Sequence, residues 1–320
     1  MSRITQPQIS RPQIHVLHEN PDWLPPLAAA LERSGAPWDD WFLVERAIDL
    51  AAPPPEGVFY NRMSASSHTR GHRYSAELTA VTLAWLTQYG RRVVNGPSAL
   101  DLEISKVRQY AALARAGVAT PRTVPVVGKD KLVEAARNAF GDSRFLLKPN
   151  RGGKGLGVRL LENADDLAAH LETFDYEAPL DGVHLLQDYV VTREPIITRA
   201  EFVGGRFLYA VEVDTSNGFE LCPADVCSVP DATRPAFQVI EDIDAGLKTK
   251  LERFLQIAGI EIAGIEFATG ADGRPLVYDV NTNTNYNSEA EAAAGVPLTG
   301  MDAIARYLKG ELARSERQAA

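Results

Sequence analysis

Two apolar runs that flank Asp272-Gly273 constrain the fold of this chain more than any other feature of its sequence. An Asp-Gly pair between such runs is a strong signal for the turn of a β-hairpin. A turn centred on this pair places Glu266 directly opposite Asp279. Like charges in that position destabilise paired strands, and a divalent cation between them would reverse the penalty.

Side chains alternate in direction along a strand, so Val277, Asp279 and Asn281 are expected to share one face. Glu266, Asp279 and Asn281 would then direct three oxygen ligands at one point. Hard oxygen ligands suit Mg²⁺, and Mn²⁺ is an alternative for the same ligands. From the hairpin alone, two unrelated surface carboxylates remain an open interpretation.

Composition excludes several classes of function. The 320 residues are 45% hydrophobic with a formal net charge of -9, so no general binding to nucleic acid or to an anionic membrane is expected. Cys222 and Cys227 form neither a disulfide framework nor a zinc motif, which predicts a cytoplasmic protein. Residues 1–10 lack an apolar signal core, and no run reaches the length of a membrane span. The oligomeric state stays open, a homo-oligomer included.

The order of apolar runs and breakers predicts three units. Strands alternate with helices over roughly the first 95 residues, which indicates an open parallel α/β domain. We expect this N-terminal domain at residues 1–97, a small central domain at 98–185 and a C-terminal domain at 186–320. The last is expected to contain an antiparallel sheet and the hairpin with the metal site.

A glycine-rich loop with basic residues follows an apolar strand at residues 145–148. Its glycines would let backbone amides approach an anion closely, and they are Gly152, Gly153, Gly155 and Gly157. Lys148, Arg151 and Lys154 add positive charge, and this combination suits a polyphosphate. The loop matches neither the P-loop nor the dinucleotide pattern, so a nucleotide would need another architecture. A flexible loop made soluble by basic residues is the alternative.

Five short segments occur in a recognisable order between residues 93 and 290. They are Ser105-Lys106, residues 145–148 with the glycine loop, Gln187-Asp188-Tyr189-Val190, Arg199 after Ile197-Thr198, and Glu266 with Asp279-Val280-Asn281. Together they resemble the ATP-grasp superfamily, in particular its RimK-like branch of carboxylate–amine ligases. The resemblance implies a mixed α/β and α+β fold, in which a central lid domain follows the N-terminal domain.

The resemblance also implies roles for the matching residues. Arg199, Lys148 and Lys154 would stabilise the charge on the transferring phosphate. The residues that would bind ATP are Lys106, Lys148, Arg151, Gly152, Gly153, Lys154, Gly155, Gly157, Gln187, Asp188, Tyr189 and Val190. Glu266, Asp279 and Asn281 would hold magnesium. Taken singly, each of these residues also has an ordinary structural explanation, such as a solvated lysine, a strand end or an ion pair within a sheet.

The activity that the resemblance implies is ATP-dependent formation of a carbon–nitrogen bond. A substrate carboxylate would become an acyl phosphate, and an amine would then displace the phosphate, so that ADP and phosphate are released. The substrates would be a small-molecule carboxylate and amine, or a peptide. A small-molecule kinase and a non-catalytic ATP-binding regulatory protein are the two alternatives.

Departures from the family pattern concern the substrate. Residues 281–287 lack the Pro-Gly that often follows the metal strand, and Ile197 stands where an Asp is common. Residues 218–225 replace the arginine-rich stretch of glutamate ligases, so glutamate is not assumed to be the substrate.

The loop at residues 61–74 is the candidate substrate site, because open α/β domains bind ligands at the carboxyl ends of their strands. The residues expected to contact substrate are Arg62, Ser64, His68, Arg70 and Arg73, with Asn283 and Asn285 after the metal strand. The arginines could hold a carboxylate in a fork. A solvated loop and turn-forming asparagines are the alternatives.

Overall fold

Three sheets organise the part of the chain that the computed structural model describes, residues 12–153, 155–216 and 236–319. The first is a parallel sheet with the strand order β2-β1-β3-β4. Its strands are β1 (Gln13–His18), β2 (Trp38–Phe42), β3 (Gly57–Asn61) and β4 (Arg92–Val94), and α1 (Pro25–Ser34) and α2 (Ser75–Gln88) lie between them in sequence.

Both faces of this parallel sheet are buried. Val58 and Tyr60 of β3 pack on one side in a cluster with Leu31, whereas Phe59 packs on the other side with Leu83. Helices cover both faces, as is usual for parallel sheets, so the sheet is open to ligands only at its strand ends. The loops that follow β1 and β3 meet at the same edge because parallel strands end together.

An antiparallel sheet with the order β5-β8-β6-β7 forms the central part of the chain. Helices α3 (Pro97–Glu103) and α4 (Lys106–Arg115) precede it. Its elements are β5 (Thr123–Val127), α5 (Leu132–Phe140), β6 (Phe145–Pro149), β7 (Arg159–Leu161), α6 (Ala164–Leu171) and β8 (Val183–Asp188). Helices α5 and α6 pack on the sheet in a separate core that includes Leu132, Phe145 and Leu167.

A five-stranded antiparallel sheet with the order β11-β10-β9-β12-β13 forms the C-terminal part. Its elements are β9 (Thr192–Val203), β10 (Arg206–Asp214), β11 (Phe237–Ile240), α7 (Ala245–Ala258), β12 (Ile262–Gly270), β13 (Pro275–Asn281), α8 (Ser288–Ala294) and α9 (Gly300–Ala319). Helix α4 joins the core of this sheet through Tyr110 and Leu113, and α9 packs against the N-terminal sheet through Ile304 and Leu308.

The combination of a parallel sheet with two antiparallel sheets agrees with the α/β and α+β architecture expected from the sequence. The boundaries expected at residues 97 and 185 stay a prediction. Among the described residues, no helix has the length and apolar character needed to cross a membrane.

Candidate functional site

A cleft is lined by residues from all three sheets and their loops. Sixteen of the residues expected to form the site line it: Ser64, Lys106, Lys148, Gly152, Gly153, Gly155, Gln187, Asp188, Tyr189, Val190, Arg199, Glu266, Asp279, Asn281, Asn283 and Asn285. The fold therefore brings the expected nucleotide, metal and substrate residues to one place.

Six of the expected site residues do not line this cleft: Arg62, His68, Arg70, Arg73, Arg151 and Gly157. Lys154, Cys222, Cys227 and the segment at 218–225 lie outside the described residues. Arg151 was expected at the phosphates, but its Nη1 donates to Glu77 Oε1 of α2 at 2.8 Å. It thereby connects the base of the glycine loop to the N-terminal domain.

The β12–β13 hairpin places Glu266 opposite Asp279, as the sequence predicted. The register of the hairpin changes next to this pair, however. Phe267 pairs with Val277, so Tyr278 is an extra residue in a β-bulge. Val277 lies in the hydrophobic core, whereas Asp279 lines the cleft. The expectation that Val277 shares the face of Asp279 and Asn281 is wrong, since the bulge interrupts the alternation.

The expected metal ligands are close together and are held by cations. Asp279 Oδ1 accepts a hydrogen bond from Lys106 Nζ at 2.5 Å, and Glu266 Oε1 accepts one from Arg199 Nη1 at 3.1 Å. Asn281 Nδ2 donates to Glu266 Oε1 at 3.3 Å. Burial raises the pKa of Glu266, and Asp279 adds to that effect while Arg199 opposes it. The surroundings therefore disfavour the ionised form of Glu266, and a cation bound beside it would favour that form.

These ligands fit a hard divalent cation by their chemistry. The described residues contain no group of three or more His, Cys, Asp and Glu side chains suited to a metal. Glu266, Asp279 and Asn281 instead combine two carboxylates with an amide, the oxygen donors that magnesium sites use together with water and phosphate. Burial acts to lower the pKa of Lys106, but Asp279 and Tyr110 outweigh it and raise that pKa.

Lys148 belongs to a buried hydrogen-bond network whose centre, Tyr110, the sequence did not reveal. Lys148 Nζ donates to Tyr110 Oη and to Gln187 Oε1, both at 3.3 Å. Gln187 Nε2 donates to the same hydroxyl at 2.9 Å, and Tyr110 Oη donates to the carbonyl of Tyr278 at 2.9 Å. The network fixes the ammonium group of Lys148 between the central sheet and the bulge.

Arg199 is held from three sides. Its Nε donates to Glu201 Oε1 at 2.8 Å, and its Nη2 donates to Thr284 Oγ1 at 2.7 Å, in addition to the contact with Glu266. Burial raises the pKa of Glu201 to about 6, although Arg199 acts in the opposite direction. Gly264 faces the guanidinium, and a Cβ at this position would lie 2.4 Å from Arg199 Nε. A glycine is needed here because the arginine occupies the space.

The basic residues of the loop at 61–74 are used within the protein. Arg62 donates to the carbonyl of Trp23 at 3.0 Å and to Asn285 Oδ1 at 2.8 Å. Arg70 forms a two-point pair with Glu19, with Nε to Oε2 at 3.2 Å and Nη2 to Oε1 at 2.5 Å. The geometry therefore assigns these two side chains to holding the loop, in place of the expected fork for a substrate carboxylate.

The other two basic residues of that loop that were expected at the substrate do not line the cleft either. Arg73 is exposed and stacks over the ring of Tyr74 at 5.8 Å. Burial lowers the pKa of His68, and the positive charge of Arg151 adds to the effect. A direct contact of either residue with substrate stays a prediction without support from the cleft.

Glu103 lines the cleft and was missed in the sequence. Its Oε1 accepts from the amide of Ala65 at 3.1 Å, and its Oε2 accepts from the amide and the hydroxyl of Thr282 at 2.7 and 3.0 Å. Burial raises the pKa of Glu103. The carboxylate joins the loop after β3 to the segment after β13. The available signal was an acidic residue between the apolar Leu102 and Ile104.

Comparison with known proteins identifies the fold. No model of a protein family matches the chain, and no curated protein matches it. The solved structure of a RimK-domain ATP-grasp protein from Sphaerobacter thermophilus is 19% identical, with a TM-score of 0.66 over 92% of this chain and 98% of that one. The ATP-grasp ligase PsnB, solved with a minimal precursor, Mg and ADP, is 18% identical, with a TM-score of 0.62 over 97% and 100%.

The D-cycloserine synthetase DcsG is also similar, at 20% identity and a TM-score of 0.63 over 93% of this chain and 99% of that one. These likenesses extend over nearly the whole length of each chain. They show that the chain has the ATP-grasp fold, so the fold implied by the sequence resemblance is confirmed.

Proposed function

We propose that this protein is an ATP-dependent carbon–nitrogen ligase, which joins a carboxylate to an amine through an acyl phosphate and releases ADP and phosphate. One observation carries the proposal. The two facing carboxylates of the hairpin, Glu266 and Asp279, lie in a cleft with Lys106, Lys148 and Arg199. Such a combination of oxygen ligands and cations suits a magnesium–triphosphate group.

The nucleotide base is assigned to the part of the cleft beside the end of β8. Gln187, Asp188, Tyr189 and Val190 line the cleft there, and their backbone groups can bond the edge of a base. Apolar side chains from the central and C-terminal sheets line the cleft as well: Leu146, Leu156, Val158, Ile197 and Ala268. A largely apolar slot with a few polar groups is typical of nucleotide-sized ligands.

The cations are positioned for the phosphates before any ligand binds. Lys106 and Arg199 are held by the same carboxylates that would bind the metal ion, and Lys148 is held by Tyr110 and Gln187. Charges that are fixed in advance stabilise a transferring phosphate without a cost of reorganisation. Magnesium, or manganese with the same ligands, would supply further positive charge to the phosphate oxygens.

In the proposed reaction, the substrate carboxylate attacks the γ-phosphorus of ATP, and the amine then attacks the acyl carbon and expels phosphate. The chain's contribution is to hold the reactants in place and to exclude water, which would hydrolyse the acyl phosphate. The glycine loop is suited to this second task. Gly153 approaches the loop after β3 so closely that an added Cβ would lie 3.4 Å from Ser66 Cβ.

The proposed partners are a small-molecule carboxylate and amine, or a peptide. PsnB is described with a minimal precursor and DcsG as a D-cycloserine synthetase, so this fold occurs in proteins with different substrates. A cytoplasmic location without nucleic-acid or membrane partners is part of the proposal, on the basis of the net charge of -9 and the two cysteines.

The proposal is tested with ATP, magnesium and a panel of carboxylic acids in the presence of hydroxylamine, which traps acyl phosphates as hydroxamates. We expect hydroxamate, ADP and phosphate in equal amounts with at least one acid. A stable phosphorylated product without phosphate release would indicate a kinase instead. Binding of ATP without turnover across the panel would indicate a regulatory protein.

Asp279→Asn tests the metal hairpin within the same assay. The substitution removes one charge from the pair and from its contact with Lys106, so we expect turnover to fall about 10²–10³-fold. Asp272→Asn in the turn of the same hairpin is the matched control. Asp272 is exposed and accepts a bond from the amide of Arg274, which asparagine also does, so turnover should be unchanged.

A further inference from the structure

Five side chains line the cleft where the N-terminal loops meet the segment after β13, and we call this region the acceptor pocket. They are Trp23, Ser64, Ser66, Asn283 and Asn285. Arg62 bridges two of them, since it donates to the carbonyl of Trp23 and to Asn285 Oδ1. Ser64 Oγ and Ser66 Oγ are hydrogen-bonded at 2.9 Å. These contacts link Trp23 to Asn285 and Ser64 to Ser66, and the five side chains that define the acceptor pocket are all uncharged.

The cations near the acceptor pocket, among the described residues, already have partners of their own. Arg70 pairs with the buried Glu19 and also donates to Ser66 Oγ at 3.1 Å. Arg62 does not line the cleft, and its Nη1 and Nη2 donate to two carbonyls and to Asn285. Arg199 pairs with Glu201 and Glu266. A second carboxylate on a substrate would have to compete with these internal partners.

The acceptor pocket does offer a hydrogen-bond acceptor, with an acidic residue beside it. Among the described residues, the buried Asn283 Oδ1 has no hydrogen-bond partner, and an unsatisfied buried acceptor favours a ligand that donates an N–H. Glu103 lines the cleft beside Ala65, between the two serines of the acceptor pocket. Its carboxyl group accepts hydrogen bonds from Ala65 and Thr282 and offers no positive charge to an anion.

We infer that the acceptor pocket binds an amine whose neighbouring group is an uncharged amide, such as an amino acid amide or a peptide, and rejects an amine that carries a free α-carboxylate. The inference rests on the proposed function, because it names the class of amine that the same site takes. Two physical effects support it. Burying the carboxylate of a free amino acid without a cation to match it is unfavourable, whereas an amide N–H can donate a hydrogen bond to Asn283 Oδ1.

The direct test measures binding by saturation-transfer NMR to the protein loaded with magnesium and a non-hydrolysable ATP analogue. The probes are amino acid amides, each compared with the free amino acid of the same side chain. We expect the amide of every binding pair to bind at least about tenfold more tightly than the free acid. Equal or tighter binding of the acids, or no binding by any amide of the panel, overturns the inference.

The hydroxamate assay distinguishes a failure of the inference from a failure of the proposed ligase function. Hydroxylamine is small and carries no carboxylate, so it tests acyl phosphate formation independently of the preference for amides. Hydroxamate formation combined with a preference for free amino acids would overturn the inference and leave the ligase function standing. Absence of hydroxamate and of ADP would count against the ligase function itself, and the NMR comparison would still decide which amines the acceptor pocket binds.

The substitution Asn283→Lys provides a stricter test, because it adds a cation to the uncharged acceptor pocket. We expect the preference for amides to fall by about tenfold or to reverse toward free amino acids. Asn138→Lys adds the same charge on the exposed side of α5 and should leave the preference unchanged. An unchanged preference in a folded Asn283→Lys protein would overturn the inference.

Discussion

The two ends of the cleft use charge in opposite ways. At the hairpin end, formed by Lys106, Arg199, Glu266, Asp279 and Asn281, charged groups pair with one another and still face the cleft. At the acceptor pocket, Arg62 and Arg70 bind partners within the protein, and the five uncharged side chains that define the pocket line the cleft.

This difference follows from the elements that carry the residues. Four residues of the hairpin end lie on β9, β12 and β13, whose ladder fixes their relative positions. The acceptor pocket is built on loops, whose shape depends on internal contacts such as that of Arg70 with Glu19. On the proposed function, the hairpin end would supply preorganised charge for phosphate chemistry, and the acceptor pocket would present uncharged side chains to the amine.

Gly264→Ala should have the largest effect of the three substitutions that probe this comparison, because it acts at the hairpin end. The new Cβ would lie 2.4 Å from Arg199 Nε and 2.8 Å from Arg199 Cζ, so the guanidinium must move. We expect turnover in the hydroxamate assay to fall about 10–10²-fold and the free energy of unfolding to fall by about 1–3 kcal/mol.

Gly310→Ala is the matched control for that substitution. Gly310 lies within α9, and no described atom is within 4 Å of its added Cβ. Alanine should therefore raise the free energy of unfolding by about 0.5–1 kcal/mol and leave turnover unchanged. Full activity of Gly264→Ala would show that the position of Arg199 does not matter for catalysis.

Arg70→Met probes the loops on the other side of the comparison. Glu19 is 1% exposed and would lose its two-point partner, so we expect the free energy of unfolding to fall by about 2 kcal/mol. Calorimetric titration with the magnesium–nucleotide analogue should give an affinity within about twofold of the parent. A large loss of nucleotide affinity would mean that the two ends of the cleft are not separate in function.

Arg73→Met serves as the control for Arg70→Met within the same loop. Arg73 is exposed and lies over the ring of Tyr74 at 5.8 Å. Its substitution should change the free energy of unfolding by less than about 0.5 kcal/mol.

Glu201 gives the stability of the hairpin end a pH dependence that develops over a narrow pH range. Burial raises its pKa from 4.5 to about 6 in the folded protein. A carboxyl group with a raised pKa contributes stability that is fully present below pH 4.5 and is lost as the pH rises to about 6. The loss amounts to about 2 kcal/mol.

Denaturant unfolding of Glu201→Gln and of the parent protein across this pH range measures the effect. The difference in free energy of unfolding, parent minus variant, should decrease by about 2 kcal/mol from low to high pH and then level off. A difference that does not vary with pH would mean that folding does not change the pKa of Glu201.

The hairpin end could be predicted from sequence because its positions follow from local rules. A turn signal and strand pairing were sufficient to place Glu266 opposite Asp279. The bulge at Tyr278 could not be predicted, since the carbonyl of Tyr278 accepts a hydrogen bond from the hydroxyl of Tyr110, which is 168 positions away in the sequence. Local patterns contain no information about such a partner.

The loop after β3 could be located but its side chains could not be assigned. An arginine that binds a substrate carboxylate and one that binds its own Glu19 have the same appearance in a sequence. Arg62 likewise donates a hydrogen bond to Asn285, which is 223 positions away in the sequence. Burial and partners, which only the fold supplies, decide which charges face a ligand.

The most direct test of the account is a crystal structure with magnesium and a non-hydrolysable ATP analogue. The account predicts a metal ion bound by Glu266, Asp279 and Asn281, with the triphosphate in contact with Lys106 and Lys148. A triphosphate bound elsewhere on the protein, or an ordered triphosphate in this cleft without an ion at the hairpin, would contradict it.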